Sequence, residues 1–138
     1  MGDCVFCRIV AGTAPASVVD ESDSVVAFMD TRPVNEGHLL VIPKAHAESL
    51  GEVPPGVAEE VMRMAQRLAA VLGPAGVPHD GFNLFLADGV AAGQEVFHAH
   101  LHVIPRRTGD GFRIEPTYGA PPTREQLDAM ATRIRSAR

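Results

Sequence analysis

The segment FHAHLHVIPR, Phe97–Arg106, contains three of the chain's six histidines, at positions 98, 100 and 102. In a β-strand, side chains at i, i+2 and i+4 lie on the same face of the sheet. A strand over about residues 97–104 would place the three imidazoles on one face and Ala99, Leu101 and Val103 on the other. In a helix, His100 would point away from the other two histidines. The pattern therefore predicts a strand with a row of histidines on one face, which Pro105 is expected to end.

A row of imidazoles suits chemistry at phosphorus. Neutral imidazole is a good nucleophile that can form a covalent phosphoryl- or nucleotidyl-histidine, and a second histidine can bind phosphate oxygens or protonate a leaving group. A single histidine on a strand is more often a half-buried polar side chain, whereas three on one face favour a chemical role. The preceding loop DGVAAGQEV has Gly89 and Gly93, whose backbone could approach a phosphate, although an ordinary turn explains two glycines equally well.

The other patterns predict an α+β domain with a mainly antiparallel sheet. Strands are predicted in ASVVDESDSVVAFMD, as a hairpin turning at residues 20–23, in HLLVIP up to Pro43, and in GFNLFLA. CVFCRIVAG predicts a helical turn closed by Gly12, and TREQLDAMATRIR predicts a last helix capped by Thr123 with Gln126 in a capping box. The longest helix is predicted in residues 54–76, and RTGDGFRIEPTYGAPP is predicted to be an irregular surface loop. The apolar stripe of the long helix consists of Val57, Val61, Met64, Leu68 and Leu72.

Composition limits the functional classes. The chain has 138 residues, which predicts one domain, and it has 12 Lys+Arg against 17 Asp+Glu, a net charge of −5. This balance argues against sequence-nonspecific binding to nucleic acid. No segment has the length and hydropathy of a membrane span, and the N-terminus lacks the pattern of a signal peptide, so we expect a cytoplasmic protein. In a reducing compartment Cys4 and Cys7 are expected to be ligands or thiols and not a disulfide.

Two segments resemble the histidine triad (HIT) family. GQEVFHAHLHVIPR contains the family signature, in which three histidines alternate with apolar residues, and VAFMDTRPVNEGHLLVIPKAH is similar to the family's nucleotide-binding region. The resemblance covers about residues 3–108 and is weak over residues 109–138. It implies a HIT fold with a five-stranded antiparallel sheet in each subunit of a homodimer. It also implies a hydrolase or transferase that acts on a purine nucleotide or nucleotide conjugate and cleaves at the α-phosphate through a nucleotidyl-histidine.

The resemblance also implies roles for individual residues. His100 matches the family nucleophile, His102 matches the histidine that contacts the phosphate and the departing group, and Asp30 matches the acid that binds the ribose hydroxyls. The other residues implied in substrate binding are Thr31, His38, Gly93, Gln94 and Glu95.

Two positions depart from the family pattern. Ala87 stands where related proteins commonly carry an asparagine that contacts the ligand, and Asp88 is the nearest polar side chain that could replace it. Glu95 stands where many members have serine or threonine near the phosphate. A carboxylate directed at the departing group would repel an anion and favour an amine, whereas a Glu95 side chain in solvent would leave only its backbone N–H to bind the phosphate.

A zinc site is the second prediction. Cys4 and Cys7 have the spacing of a zinc half-site, and His46 and His98 would complete a closed Cys₂His₂ site of the structural kind, as a branch of the family implies. A free or redox-active dithiol is the alternative to this site. Two other functions also stay open: a catalytic metalloenzyme that binds its ion through His98 and His100, and a nucleotide-binding sensor or interaction protein with little catalysis.

Overall fold

The structure is a computed structural model that describes residues 3–138. Five strands form one antiparallel sheet in the order β1-β2-β3-β5-β4. The strands are β1 (Val18–Glu21), β2 (Val25–Met29), β3 (Leu39–Pro43), β4 (Gly81–Phe85) and β5 (Leu101–Arg106). The helices are α1 (Val5–Val10), α2 (Pro55–Leu72) and α3 (Arg124–Ser136), with short 3₁₀ turns at Leu50–Glu52 and Val90–Ala92. The predicted fold class is confirmed.

Both faces of the central strands are covered. Alternate residues of β2, β3 and β5 pack on one face against α2, whose buried residues are Val61, Met64, Ala65, Leu68 and Leu72. The opposite residues of β2 and β3 pack against α1, whose Phe6 is buried. Because Leu40 is paired with His102 in the β3–β5 ladder, the histidine row lies on the α1 face of the sheet. The site is therefore built between the sheet and the N-terminal helix.

The bounds predicted for the histidine strand were wrong at both ends. The strand begins at Leu101, because the backbone of Ala99 donates to Ala47 in the loop after β3 at 2.7 Å and does not join the β3 ladder. Pro105 does not end the strand. The β3 ladder stops at Val103, so the missing N–H of Pro105 costs no hydrogen bond to β3, while Phe82 of β4 still pairs opposite it.

The other elements follow the sequence patterns closely. The first hairpin turns at residues 22–24, so the turn begins two residues and ends one residue later than predicted. The Ser22 hydroxyl accepts from the N–H of Val25 at 3.2 Å and sets this turn. The capping box of Thr123 and Gln126 is confirmed at the start of α3. This last helix has no buried residue, and its apolar side chains Leu127, Met130 and Ile134 are exposed. No helix within residues 3–138 is both long enough and apolar enough to cross a membrane.

Candidate active site

A cavity of about 620 Å³ opens on the α1 face of the sheet. Seven of the residues expected to act on or bind a substrate line it: Asp30, Thr31, His38, Gly93, Glu95, His100 and His102. Its inner wall is apolar and includes Val5, Phe6 and Ile9 of α1. The fold thus combines a polar rim of histidines and carboxylates with an apolar recess, an arrangement that suits a ligand with a flat ring and a charged end.

A backbone hydrogen bond fixes the tautomer of a neutral His100. Its Nδ1 lies 2.7 Å from the carbonyl oxygen of His98, and because a carbonyl can only accept, Nδ1 must carry the hydrogen. In the neutral imidazole Nε2 then has a free lone pair. The residue is only 7% exposed, and its ring packs edge-on against Phe6 with the centroids 5.2 Å apart. A fixed imidazole with a lone pair on Nε2 is the form required of a nucleophile.

His102 has the opposite hydrogen-bonding character. The N–H of Val34 donates to Nδ1 of His38 at 3.0 Å, so a neutral His38 carries its hydrogen on Nε2. That Nε2–H lies 2.8 Å from Nδ1 of His102, which must accept it. A neutral His102 therefore carries its own hydrogen on Nε2. One backbone N–H thus determines the tautomers of two histidines in succession.

Burial keeps this pair of histidines neutral. Desolvation, reinforced by the neighbouring His100 and His38, lowers the pKa of His102 to about 4, although Asp30 opposes the shift. Desolvation also lowers the pKa of His38, again against the effect of Asp30. The carboxylate of Asp30 lies 3.4 Å from Nε2 of His38 and 3.7 Å from Nδ1 of His102, and it accepts from the N–H of Arg32 at 2.8 Å. Near neutral pH, His102 is a hydrogen-bond donor and not a cation.

Gln94 is the predicted substrate-binding residue that does not line the cavity. Its side chain is buried and closes the loop before the histidines: the amide oxygen accepts from Gly89 N–H at 2.8 Å, and the amide nitrogen donates to the carbonyls of Glu48 at 2.8 Å and Val96 at 3.1 Å. Its backbone N–H bonds to the carbonyl of Gly89 at 3.1 Å. Gln94 thus shapes the loop from within.

The two departures from the family pattern have distinct structural outcomes. Ala87 is buried and lines the cavity without offering a polar atom, and Asp88 does not replace one, because its carboxylate accepts from the N–H of Leu50 at 3.2 Å. Glu95 pairs with Arg32 at 2.8 Å, and both exposed side chains lie at the cavity rim. Sequence reasoning missed Arg32, whose nearness to Glu95 arises only from the tertiary contact between two loops.

Cys4, Cys7, His46 and His98 come together as predicted, with all four donor atoms within 4.8 Å of one another. The Sγ atoms lie 3.3 to 3.6 Å from the facing Nδ1 atoms. Zinc–sulfur and zinc–nitrogen bonds of about 2.3 and 2.0 Å at a tetrahedral angle place sulfur and nitrogen about 3.5 Å apart, so the cluster matches a zinc cage. Nε2 of His98 lies 2.7 Å from the carbonyl of Pro43, the kind of outer contact that orients metal-binding histidines. Burial raises the pKa of the Cys7 thiol, opposite to the shift of a redox-active cysteine.

Asp30, His38 and His102 form a second group of potential metal donors within 4.8 Å of one another. The hydrogen bonds argue against a metal there. Because Val34 donates to Nδ1 of His38, a neutral His38 needs its hydrogen on Nε2, the atom that would have to bind the ion. The pair His98 and His100 offers no shared ligand position either, since Nδ1 of His98 faces the cysteines and Nδ1 of His100 donates to the backbone. The geometry favours a covalent imidazole over a catalytic metal.

Comparison with known proteins decides the family. A model of the HIT domain matches residues 11–109. The chain belongs to the HIT family. Proteins of this family bind nucleotides, and hydrolases are among its members. The match ends just before Asp110, so the loop and helix that follow lie beyond the part described by the family model.

Individual relatives support the assignment. An adenylylsulfatase of Arabidopsis thaliana is 40% identical over 108 residues, which are 78% of this chain and 54% of that protein. A crystal structure of a HIT family protein from Bacillus anthracis superposes with a TM-score of 0.89 at 35% identity, covering 99% of this chain and 97% of that one. A zinc-bound histidine triad protein of Mycobacterium smegmatis has a TM-score of 0.76 at 40% identity, covering 99% of both chains.

Proposed function

We propose that this protein hydrolyses nucleotide conjugates at the α-phosphate with His100 as the nucleophile. Nε2 of His100 attacks phosphorus, and the bond to the leaving group breaks while the departing atom accepts a hydrogen bond from Nε2–H of His102 and takes its proton from water. In the second step water attacks the phosphorus of the nucleotidyl-histidine, the phosphorus–nitrogen bond breaks, and one proton of the water is released to solvent. The products are the free leaving group and a nucleoside monophosphate, and the enzyme is regenerated.

The observation that carries this proposal is the pairing of opposite tautomers. The rings of His100 and His102 lie 5.0 Å apart between centroids, one with a lone pair on Nε2 and the other with a hydrogen there. A nucleophile beside a hydrogen-bond donor that stabilises the departing charge is what displacement at phosphorus needs from a protein that also positions the phosphate. The histidine spacing alone does not distinguish these two protonation patterns.

The cavity also provides for the rest of a nucleotide. The carboxylate of Asp30 can accept from the two ribose hydroxyls beside Thr31, and the apolar wall that includes Phe6 and Ile9 suits a purine base. The loop N–H of Gly93 is engaged with Val90 at 2.9 Å. Within residues 3–138 the backbone N–H of Glu95 has no hydrogen-bond acceptor, and we propose that it donates to a phosphate oxygen of the substrate. The side chain of Gln94 keeps the loop in the required shape.

The leaving group belongs to one of four classes: an amine in a phosphoramidate, a carboxylate in an acyl-adenylate, a second nucleotide in a dinucleoside polyphosphate, or sulfate in an adenylyl sulfate. The last class comes from the Arabidopsis adenylylsulfatase, which shares the domain. The Arg32–Glu95 pair at the rim presents both signs of charge to whichever group departs.

The cysteine and histidine cluster fits a structural zinc ion. Four donors of the Cys₂His₂ type leave no open position on the metal. Cys7 lies on α1 next to Phe6, and the ring of Phe6 contacts His100. We propose that zinc anchors α1 and so holds the apolar wall of the cavity. Such a thiolate site suits a reducing compartment such as the cytoplasm.

We also propose a homodimer that forms through the β4 edge of the sheet. Leu84 and Phe85 are exposed on this edge strand, and Met62 of α2 is half exposed and lines a pocket with Leu86, which follows β4. An edge strand with exposed apolar side chains is a ready template for pairing with a second chain. Sedimentation of the wild type against Phe85→Asp tests this surface, and a wild-type monomer at micromolar concentration would refute it.

Trapping the intermediate tests the mechanism. The protein is incubated with an adenosine phosphoramidate, an acyl-adenylate, a dinucleoside tetraphosphate and adenylyl sulfate, quenched in alkali, and analysed by mass spectrometry. We expect an adenylyl adduct on His100, and His100→Ala should lower the rate by several orders of magnitude while it still binds AMP. Retention of a tenth of the rate in this variant would refute the covalent route. Tight AMP binding without turnover of any substrate would indicate a sensor instead.

A further inference from the structure

A buried carboxylate outside the cavity is connected to the imidazole pair. Asp110 follows β5, and its side chain is only 2% exposed. Arg106 donates to it twice, at 2.7 and 2.9 Å, and the backbone N–H groups of Arg107 and Phe112 each donate at 3.1 Å. The fifth donor is the side-chain amide of Asn35 at 2.8 Å. The hydrogen bonds from Arg106, reinforced by those from the other donors, hold the pKa of Asp110 well below its usual range.

Asn35 joins this carboxylate to the loop between β2 and β3. Its amide nitrogen has two hydrogens, which go to Asp110 at 2.8 Å and to the carbonyl of Pro105 at 2.9 Å. Its own backbone carbonyl accepts from the N–H of His38 at 3.2 Å. The loop is tightly packed at Gly37, because a Cβ added there would lie 2.8 Å from the side chain of Val77. The loop is thereby fixed on the end of β5.

The same loop determines the tautomer of His102. Val34, the residue before Asn35, donates to Nδ1 of His38, and His38 donates to Nδ1 of His102. A rotation of the Val34 peptide would free Nδ1 of His38 to carry the hydrogen. His38 could then accept from His102, whose Nε2 would lose its hydrogen. Among residues 3–138 Val34 makes no other hydrogen bond, and the side chain that anchors the adjoining part of the loop is that of Asn35.

We propose that Asn35 and Asp110 are positioning residues that keep His102 in its Nε2–H form. They touch no substrate, and they act through the loop backbone and His38. The kinetic consequence rests on the proposed function, in which Nε2–H of His102 hydrogen-bonds to the leaving group. The tautomer of His102 does not depend on that function.

Asn35→Ala tests the proposal and leaves the Arg106–Asp110 pair intact. Nitrogen-15 correlation spectra of the histidine rings, recorded on the zinc-loaded protein at neutral pH, report which nitrogen of His102 carries the hydrogen. We expect the wild type to be entirely in the Nε2–H form and the variant to show a mixture. The carboxylate of Asp80, just before β4, accepts from the N–H of Thr108 at 2.8 Å and so also supports the turn after β5, but it does not contact Asn35. Asp80→Asn is therefore the matched control. It should keep the wild-type tautomer.

Turnover provides the second measurement. In Asn35→Ala kcat should fall by about tenfold or more, as expected when the departing group loses its hydrogen-bond donor, whereas kcat of Asp80→Asn should be unchanged. If Asn35→Ala does not fold, Asn35→Ser, which keeps one donor hydrogen, replaces it. A folded variant with a pure Nε2–H tautomer, or an equal change in the Asp80 control, would overturn the positioning role. A changed tautomer with unchanged kcat would support the positioning role and refute the catalytic role of His102.

Discussion

Acidification from pH 7 to pH 5 should reduce the free energy of unfolding by about 2 kcal/mol through His102 alone. The folded protein lowers the pKa of this residue from 6.5 to about 4, by desolvation first and then by His100 and His38, with Asp30 opposing. Between these two values the unfolded chain binds more protons than the folded one. The contribution of His102 to the free energy of unfolding is therefore fully present above pH 6.5 and is lost as the pH falls toward 4. The full difference corresponds to about 3 kcal/mol, most of which is lost by about pH 5.

Urea unfolding of the zinc-loaded protein at both pH values measures this loss. The control is His102→Asn, whose side-chain oxygen can still accept from His38 but which does not titrate. His38 and the zinc ligands are common to both proteins, so the difference between the two losses reports on His102. We expect the wild type to lose about 2 kcal/mol more than the variant over this interval. Equal losses would mean that the folded state protonates His102 as easily as the unfolded chain, and the neutral donor assigned to it would be wrong.

Three further predictions concern the metal and the cavity rim. Purified protein should contain one zinc ion per chain, and Cys4→Ser should lower both the metal content and the melting temperature; full metal content in this variant would exclude Cys4 as a ligand. Brief treatment with EDTA that leaves this zinc in place should not reduce turnover, whereas immediate loss of activity would favour a catalytic metal. Glu95→Ser should free Arg32 and raise kcat/KM for a dinucleoside polyphosphate relative to a phosphoramidate, and Arg32→Gln should shift the ratio in the opposite direction. Ratios that do not change in either variant would show that the exposed pair, separated by 2.8 Å, takes no part in leaving-group choice.

The amino-acid sequence by itself determines the features that depend on local periodicity and spacing. Alternation around His98, His100 and His102 places the last two on the cavity side of the sheet, because side chains of extended backbone alternate between faces. The stripe on α2 predicts its buried face for the same kind of reason. The spacing of Cys4 and Cys7 sets up half of a metal cage, and comparison with the family pattern supplies His46 and His98.

Only the tertiary structure decides which atoms of those residues are free to react. The tautomer of a neutral His102 follows from the N–H of Val34, and the neighbouring Asn35 is hydrogen-bonded to Asp110, which lies 75 residues further along the chain. The Arg32–Glu95 pair and the start of the ladder at Leu101, later than predicted, likewise arise from contacts between distant segments. A hydrogen bond requires a partner at the right distance and angle, and such partners are brought together by the sheet and its loops, so no local pattern in the sequence encodes them.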